Sequence, residues 1–563
     1  MTAPEGLPAP RRKPTGRHLR RLGLWRLAAA AAAVAAVLHL AGRTELAVVA
    51  VVAGGLAAGF QVGIALLRWL LSAGDGVVGV ARAVVEEAVG TRLPVLLVIL
   101  VVVGLPVLPL LLDPGERLEY RLQFFLTWAL SAGGLLLALV TIFLGCGSVS
   151  GDIDTQRIHM ALVKPLGRWQ YLLGKWLGIV LLDGLLVTLV GGGVFAVAAA
   201  VRRLPAADAA DRRAVDEEVF TARSVARPEH PRGADFEADV TAAIEQQRKD
   251  DPQAFAADPA GAQKRILAQR VLEWHTVPPD TVAGYAFAGL ARARHESAVV
   301  QLRLKPFADA VAIDRAPVRF ALWLNDRPFP FKDGRHEEFT LTGGTFHTLE
   351  IPTSAIDAAG RLRLSIANRN LVPPGQERPA TISFSPGKGL EILYRSGSFR
   401  GNFIRCLAVM WAKLALLAAA ALAAASWLGF PIAVLAALLV YVAAVARGFL
   451  ADAIDIYTGT DRADATFVDM VRLRATMLFE RLDRLELWDA AKTLTSFAAD
   501  AFLALVPSFG VHDGVTEVAT GRLLSVGQAV ASVAELGLAY PLVLLACGWA
   551  LLCKRDLVNV SGF

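Results

Sequence analysis

The stretch SVSGDIDTQRIHMALVKPLGRWQYLLGKWLG, residues Ser148–Gly178, stands between two long apolar runs yet carries Asp152, Asp154, Arg157, Lys164, Arg168 and Lys175. Charges at this density are costly in hydrocarbon, so the stretch reads as a polar connection between two membrane spans. A short connection this rich in Lys and Arg belongs on the cytoplasmic side. Its middle is expected to form a short helix with Asp154 or Thr155 as N-cap and Ile153, Ile158 and Leu162 spaced towards one face. Pro165 ends that helix, because the residue before a proline is pushed out of the α region. The chain then returns to the membrane at Trp169 to Trp176, whose rings suit the interface.

Two more charges fall inside apolar runs. Asp183 lies about 15 Å past the start of its helix at helical rise, and Lys413 lies at similar depth in a later run. Intramembrane charges are usually paired or line a cavity. Asp183 and Lys413 are therefore expected to face each other, with outward snorkelling of Lys413 as the equal alternative.

Other chemistry finds no matching pattern. A phosphate-cradling loop needs GxxxxGK[ST], but Gly174-Lys175 is followed by Trp176, and Gly387-Lys388-Gly389 also fails. Val149 stands where Gly147 to Gly151 would need a hydrolase nucleophile. His336-Glu337-Glu338 lacks a second zinc histidine, and His230, His275, His295 and His347 have no ligand spacing. No catalytic residue, metal, cofactor or nucleic-acid partner is expected of this chain.

The elements that must position these residues are membrane helices. The chain has 563 residues, 55% of them hydrophobic, with mean hydropathy +0.48 and formal net charge +6. These values exclude an ordinary soluble protein and indicate a polytopic membrane protein. Arg11, Arg12, Lys13, Arg17, Arg20, Arg21 and Arg26 precede the first apolar run and place the N-terminus in the cytoplasm. About eight spans are expected: Leu22–Ala41, Glu45–Leu67, Leu93–Leu112, Phe124–Gly147, Tyr171–Ala200, Arg405–Ser426, Phe430–Ala446 and Leu536–Cys553. The basic Lys554-Arg555 then returns the C-terminus to the cytoplasm. Between the second and third spans, Val77, Val80, Ala81, Val84 and Ala88 oppose Arg82, Glu86 and Glu87, the pattern of an amphipathic helix in the interface plane. Cys146, Cys406, Cys547 and Cys553 lie in or beside apolar segments, so the large polar region has no disulfide framework. The Ala, Arg, Val and Leu bias suggests a bacterial source, hence a bacterial cytoplasmic membrane.

The polar region 201–402 is large enough for one domain. Up to about Trp274 it reads as helix and linker. Beyond that the period changes: Val318, Phe320, Leu322 and Leu324 alternate with Arg319, Ala321, Trp323 and Asn325, and Leu362, Leu364 and Ile366 alternate with Arg361, Arg363 and Ser365. Alternation bounded by Gly, Pro, Asn and Asp marks half-buried antiparallel strands, and a β-sandwich is expected. Counting spans places it outside the membrane. Trp323, Asn325, Asn368 and Asn370 are residue types that could contact a sugar. A helical region is expected between Arg447 and Glu535. The chain thus divides into a basic start and helical hairpin (1–75), an amphipathic helix with three spans (76–200), an extracytoplasmic domain (201–402), and the last three spans (403–563).

The run Lys164-Pro165, Gly167-Arg168-Trp169 and Leu173-Gly174-Lys175-Trp176-Leu177-Gly178 resembles the coupling segment of ABC-2 type exporter permeases. The resemblance implies that Asp152, Asp154, Thr155, Arg157, Lys164, Pro165, Arg168, Gly174 and Lys175 belong to a cytoplasmic segment that docks on a separate ABC ATPase. The usual Glu of that pattern is Asp152 here, and the usual Gly-Thr pair is Asp154-Thr155. It further implies an elbow helix before the first core span and a dimer or pseudo-dimer of permeases in the lipid membrane. ATP and magnesium would then be bound by the partner ATPase. A membrane-anchored envelope- or carbohydrate-binding protein without transport is the competing reading.

Overall fold

A computed structural model describes residues 29–34, 36–37, 44–72, 74, 76–91, 100, 104, 117–155, 167–229, 234–252, 255, 259–296, 298–308, 317–330, 338–372, 379–387, 389–458, 475–476, 478–479, 488, 494–495, 497, 502 and 506–554. Seven long helices are numbered here: α1 (Thr44–Leu70), α2 (Val77–Thr91), α3 (Leu118–Asp154), α4 (Arg168–Val201), α5 (Phe399–Ala425), α6 (Phe430–Thr458) and α7 (Val526–Lys554). Among the described residues, six helices are long and apolar enough to cross a membrane, namely all of these except α2. They correspond to six of the eight expected spans. The other two, Leu22–Ala41 and Leu93–Leu112, lie largely outside the described residues, as do most of residues 459–505 of the helical region expected between Arg447 and Glu535.

Helix α5 is the most buried of the six and packs against α3, α4, α6 and α7. Its run LALLAAAALAAA explains this place: small side chains let neighbouring helices approach closely, and packing drives helix association in lipid. Leu414 through Leu422 are all buried. The amphipathic reading of α2 holds for its faces except at Glu87, which is half-buried and turns towards Lys175 of α4. Ala81, Val84, Val85 and Ala88 are buried while Arg82 and Glu86 are exposed, and the buried face lies against α4.

The inserted region is mainly β, and its strands pair antiparallel throughout. Its strands are β1 (Thr221–Ala226), β2 (Thr276–Val277), β3 (Val282–Phe287), β4 (Val299–Leu304), β5 (Pro306–Ala308), β6 (Pro317–Leu324), β7 (Arg327–Phe329), β8 (Phe339–Thr342), β9 (His347–Pro352), β10 (Leu362–Asn368), β11 (Ile382–Phe384) and β12 (Leu390–Ser398). One sheet runs β1-β12-β4-β9; a second runs β3-β10-β6-β7 with β8 added to β6; a small third one is β2-β11-β5. Leu302, Ile351 and Ile392 from the first sheet share one hydrophobic core with Tyr285, Phe320, Leu322, Leu364 and Ile366 from the second. The alternation in β6 and β10 puts their apolar residues into that core. Asn325 and Asp326, with φ of 47° and 65°, make the tight turn from β6 to β7, a conformation Asn and Asp tolerate.

The reading of 201–274 as helix and linker needs one correction. Helices Ala234–Asp250 and Pro259–Trp274 are present, but strand β1 precedes them. Its sequence TARSVA has no marked alternation; it is ordered by pairing with the long strand β12. That pairing matters because β12 runs directly into α5. Ser398 caps the helix, its side chain accepting from Gly401 N.

Buried polar contacts fasten the β-domain to this end of the bundle. Asp211, buried near the exit of α4, accepts from Leu118 N (2.9 Å) and Glu119 N (3.0 Å) and so caps α3 from far along the chain. Residues 521–524 add a short parallel bridge to β1: Arg223 N donates to the Gly521 carbonyl and Leu523 N to that of Arg223, both at 2.8 Å. Arg522 pairs at 2.6 Å with the fully buried Glu391, while its carbonyl accepts from Asn402 of α5. Gly521 has φ of 65°, and a Cβ there would stand 1.6 Å from the Glu218 carbonyl oxygen, so glycine is required by both conformation and space.

Candidate functional site

At the opposite end of the bundle, α3 runs out of the apolar region and α4 begins. Lys175, only 3% exposed, is the centre of the site. Its Nζ lies 2.8 Å from Asp152 Oδ2 at the end of α3 and 3.6 Å from Glu87 Oε2 of α2. It also donates to the Ser148 carbonyl at 3.1 Å. Tyr171, one turn before Lys175 on the same face of α4, donates its hydroxyl to Asp152 Oδ2 at 2.8 Å. One buried cation thus holds two carboxylates from two other helices. Removing one member of such a cluster would leave a buried charge uncompensated.

Close helix contact makes this geometry possible. Gly174 and Gly178 form a small-xxx-small pair on α4 where α2 lies against it. A Cβ on Gly174 would come within 2.7 Å of the Val77 carbonyl oxygen, and one on Gly178 within 2.7 Å of that of Ala81. Gly174, expected as part of a docking segment, is seen here packing two helices. Arg168, in the first turn of α4, donates to the carbonyls of Leu552 (2.9 Å) and Cys553 (3.0 Å) at the end of α7. A cation there also suits the negative end of the helix dipole. Residues Glu87, Asp152, Arg168 and Lys175 together link α2, α3, α4 and α7 at one level.

Two site expectations change. Asp154 and Thr155 belong to the end of α3. Asp154 is the last residue of α3 and Thr155 its C-cap, with the Thr155 hydroxyl donating back to the Gly151 carbonyl at 2.5 Å. The span continues as helix through Ser148–Asp154, so the polar residues ride on its final turns. Arg157, Lys164 and Pro165, and the short helix expected there, lie outside the described residues.

The expected pairing of Asp183 with Lys413 is also corrected. Asp183, fully buried in α4, accepts from the Thr141 hydroxyl of α3 at 2.9 Å, and its Oδ2 has no hydrogen-bond partner among the described residues. Lys413 donates to the Phe509 carbonyl at 3.1 Å and sits 5.2 Å from the centre of that ring. Helix phase separates the two. Trp411 reaches the Val180 carbonyl of α4 at 2.8 Å, and two residues further along a helix is more than half a turn. Lys413 therefore points away from α4, into a cavity of about 290 Å³ that Ser131, Met410, Tyr441, Phe509 and Asp513 also line. The segment around Phe509 is non-helical, yet Phe509 N donates to the Ala444 carbonyl in α6 at 3.0 Å. Irregular backbone set against membrane helices is tolerated where protein buries it or a cavity adjoins it. Pro507, Ser508 and Gly510 are the sequence signal that could have shown this break.

Residues 131–213 match the family model described as ABC-2 family transporter protein. The matched region is of the ABC-2 permease type. The match begins within α3 and runs through the Asp152–Lys175 cluster and the whole of α4 to Arg213, beside Asp211. No curated protein and no solved structure matches the chain. The permease-type region thus contains Asp152 and Lys175 at one end, Asp211 at the other, and Asp183 between them. It leaves out Glu87 and Arg522, whose roles become visible only through their partners.

In the β-domain, Asn368 donates to the carbonyls of Val277 and Ala380, both at 2.9 Å, and is 1% exposed. Asn370 accepts from Arg319 N at 2.7 Å and Asn325 from Arg363 N at 2.8 Å. These three asparagines hold loops and strand ends together; Asn368 is buried in this role, while Asn325 is exposed and Asn370 half-buried.

Proposed function

We propose that this chain is the membrane-spanning permease subunit of an ATP-driven ABC exporter in a bacterial cytoplasmic membrane. It works as a dimer with two copies of a separate ABC ATPase. The observation that supports this most is the cluster in which Lys175 ties Asp152 and Glu87 together where α3 ends and α4 begins. The polar segment between those helices, with Arg157, Lys164 and Pro165, is the proposed docking site. A push on it would be felt first by the last turn of α3 and the first turn of α4. The Lys175 cluster would pass that push to α2 as one body, and Arg168 would pass it to α7.

On this reading the docking end is cytoplasmic and the β-domain extracytoplasmic. The segment around Phe509 and the Lys413 cavity lie between them, within the bundle that cargo must cross. The test is to purify the full chain from its native membrane and ask for an ABC ATPase in equal amount. Replacing Asp154 and Arg157 should then reduce the ATPase recovered at least tenfold. Recovery of the chain without any ATPase, or unchanged recovery from the double variant, would overturn the proposal.

A further inference from the structure

A cleft of about 670 Å³ opens where α4 leaves the bundle and α5 begins, beneath the β-domain. Five arginines line it, Arg202, Arg203, Arg212, Arg395 and Arg400, against one acid, Asp216, a balance of five positive charges to one negative. Asp216 is already neutralised by Arg202, which contacts its Oδ1 through two nitrogens at 2.9 and 2.7 Å. Arg212 is also engaged, donating to the carbonyls of Arg202 and Leu204 at 2.6 Å each. Arg203, Arg395 and Arg400 are different. All three are exposed, and among the described residues none of their side chains has a hydrogen bond or ion pair.

The floor of the same cleft is aromatic. Phe220 and Phe399 lie 4.8 Å apart between ring centres, and Phe195 lies 6.1 Å from Phe399. Arg202 covers the Phe220 ring at 4.7 Å. Phe195 belongs to the last turns of α4 and Phe399 opens α5, so this floor lies at the level where two apolar helices meet polar chain. Aromatic rings concentrate at membrane interfaces, and arginine recognises phosphate through paired donors.

We infer that this cleft binds the phosphate of an anionic membrane lipid from the leaflet on the β-domain side. Arg203, Arg395 and Arg400 hold the phosphate, and Phe195, Phe220 and Phe399 contact the first part of the acyl chains. A free phosphate would use the arginines but gain nothing from the phenylalanines. A lipid uses both, and the cleft adjoins the ends of two membrane helices. The inference holds whether or not the chain partners an ATPase.

The test uses the full chain in detergent and native mass spectrometry with phosphatidylglycerol, phosphatidylcholine and inorganic phosphate as separate probes. Wild-type protein should retain phosphatidylglycerol at least tenfold better than phosphatidylcholine, and inorganic phosphate should not displace it at equal concentration. The triple variant Arg203→Ala, Arg395→Ala, Arg400→Ala should lose that preference while melting at the wild-type temperature. The single variant Arg395→Gln should lose about threefold, which covers the case of a triple variant that folds poorly. Unchanged phosphatidylglycerol retention in the single and triple variants would overturn the inference. Displacement by inorganic phosphate would overturn it too, showing a site for free anions.

Discussion

The two ends of the helical bundle are built by different rules. At the β-domain end, α3 is capped by Asp211, α5 continues from β12, and Arg522 is locked to Glu391 while residues 521–524 lie along β1. Contacts there are many, buried, and made largely to backbone. At the other end, among the described residues, one buried cation, Lys175, joins three helices through side chains, and Arg168 adds bonds to the end of α7. Many mutually supporting backbone bonds make a joint rigid. A few charge-assisted side-chain contacts keep helices together while leaving them able to move as a group. Under the proposed permease function, the difference fits anchoring at one end and transmission at the other.

Substitutions can break this contrast, and the largest effect belongs to the anchored end. Gly521→Ala places a Cβ 1.6 Å from the Glu218 oxygen at a positive φ, so the joint must open. We expect a loss of roughly 3–5 kcal/mol, read as a large fall in melting temperature or in folded yield; a wild-type melt would refute the account of this joint. Arg522→Ala leaves Glu391 fully buried with Arg227 still 3.7 Å away. Its expected cost is about 3 kcal/mol, measured by the same melt, and Arg522→Lys should recover part of it.

Asp211 gives the contrast a pH dependence. Burial raises its pKa, but the N–H groups of Glu119, Ala207 and Leu118, with Arg117 nearby, outweigh burial and hold it below the ordinary carboxylate value. A lowered folded pKa means the stabilisation is fully present above the unfolded value of about 3.9 and disappears as pH falls through the folded one. Asp211→Asn should therefore cost about 1–2 kcal/mol at neutral pH. Its melting temperature should converge with that of wild type as the medium is acidified below about pH 4. A gap that stays constant across that range would show that the carboxylate charge has no part in the cap. The smallest effect is expected of Arg168→Ala, about 0.5–1.5 kcal/mol for its hydrogen bonds to the end of α7. If Arg168→Ala destabilises more than Arg522→Ala does, the contrast between the ends is wrong.

What the sequence made legible follows from what depends on neighbours. The core faces of β6 and β10 could be read because a half-buried strand shows its own alternation, and the outward and inward faces of α2 could be read for the same reason. Strand β1 could not, since TARSVA takes its conformation from β12. The Lys175 site was visible as charge, but its partners were not, because Glu87 and Asp152 reach it only when α2 and α3 pack on α4. Gly174 and Gly178 carried a readable packing signal that the docking motif obscured. Asp183 and Lys413 share a depth, yet depth leaves out rotation about the helix axis, and rotation decides that Lys413 meets Phe509. Polar residues suggest that the span ends before Asp154, whereas the α3 hydrogen bonds continue through them.

The division of labour is tested most directly by measuring ATP hydrolysis and melting temperature together for Lys175→Ala and Arg522→Ala in the full chain purified with its partner ATPase. The account predicts that Lys175→Ala lowers hydrolysis at least tenfold while its melting temperature falls less than that of Arg522→Ala. It predicts that Arg522→Ala, assayed below its own melting temperature, hydrolyses ATP at close to the wild-type rate. Wild-type hydrolysis in Lys175→Ala would contradict transmission through the cluster, and so would an equal loss of hydrolysis in both variants.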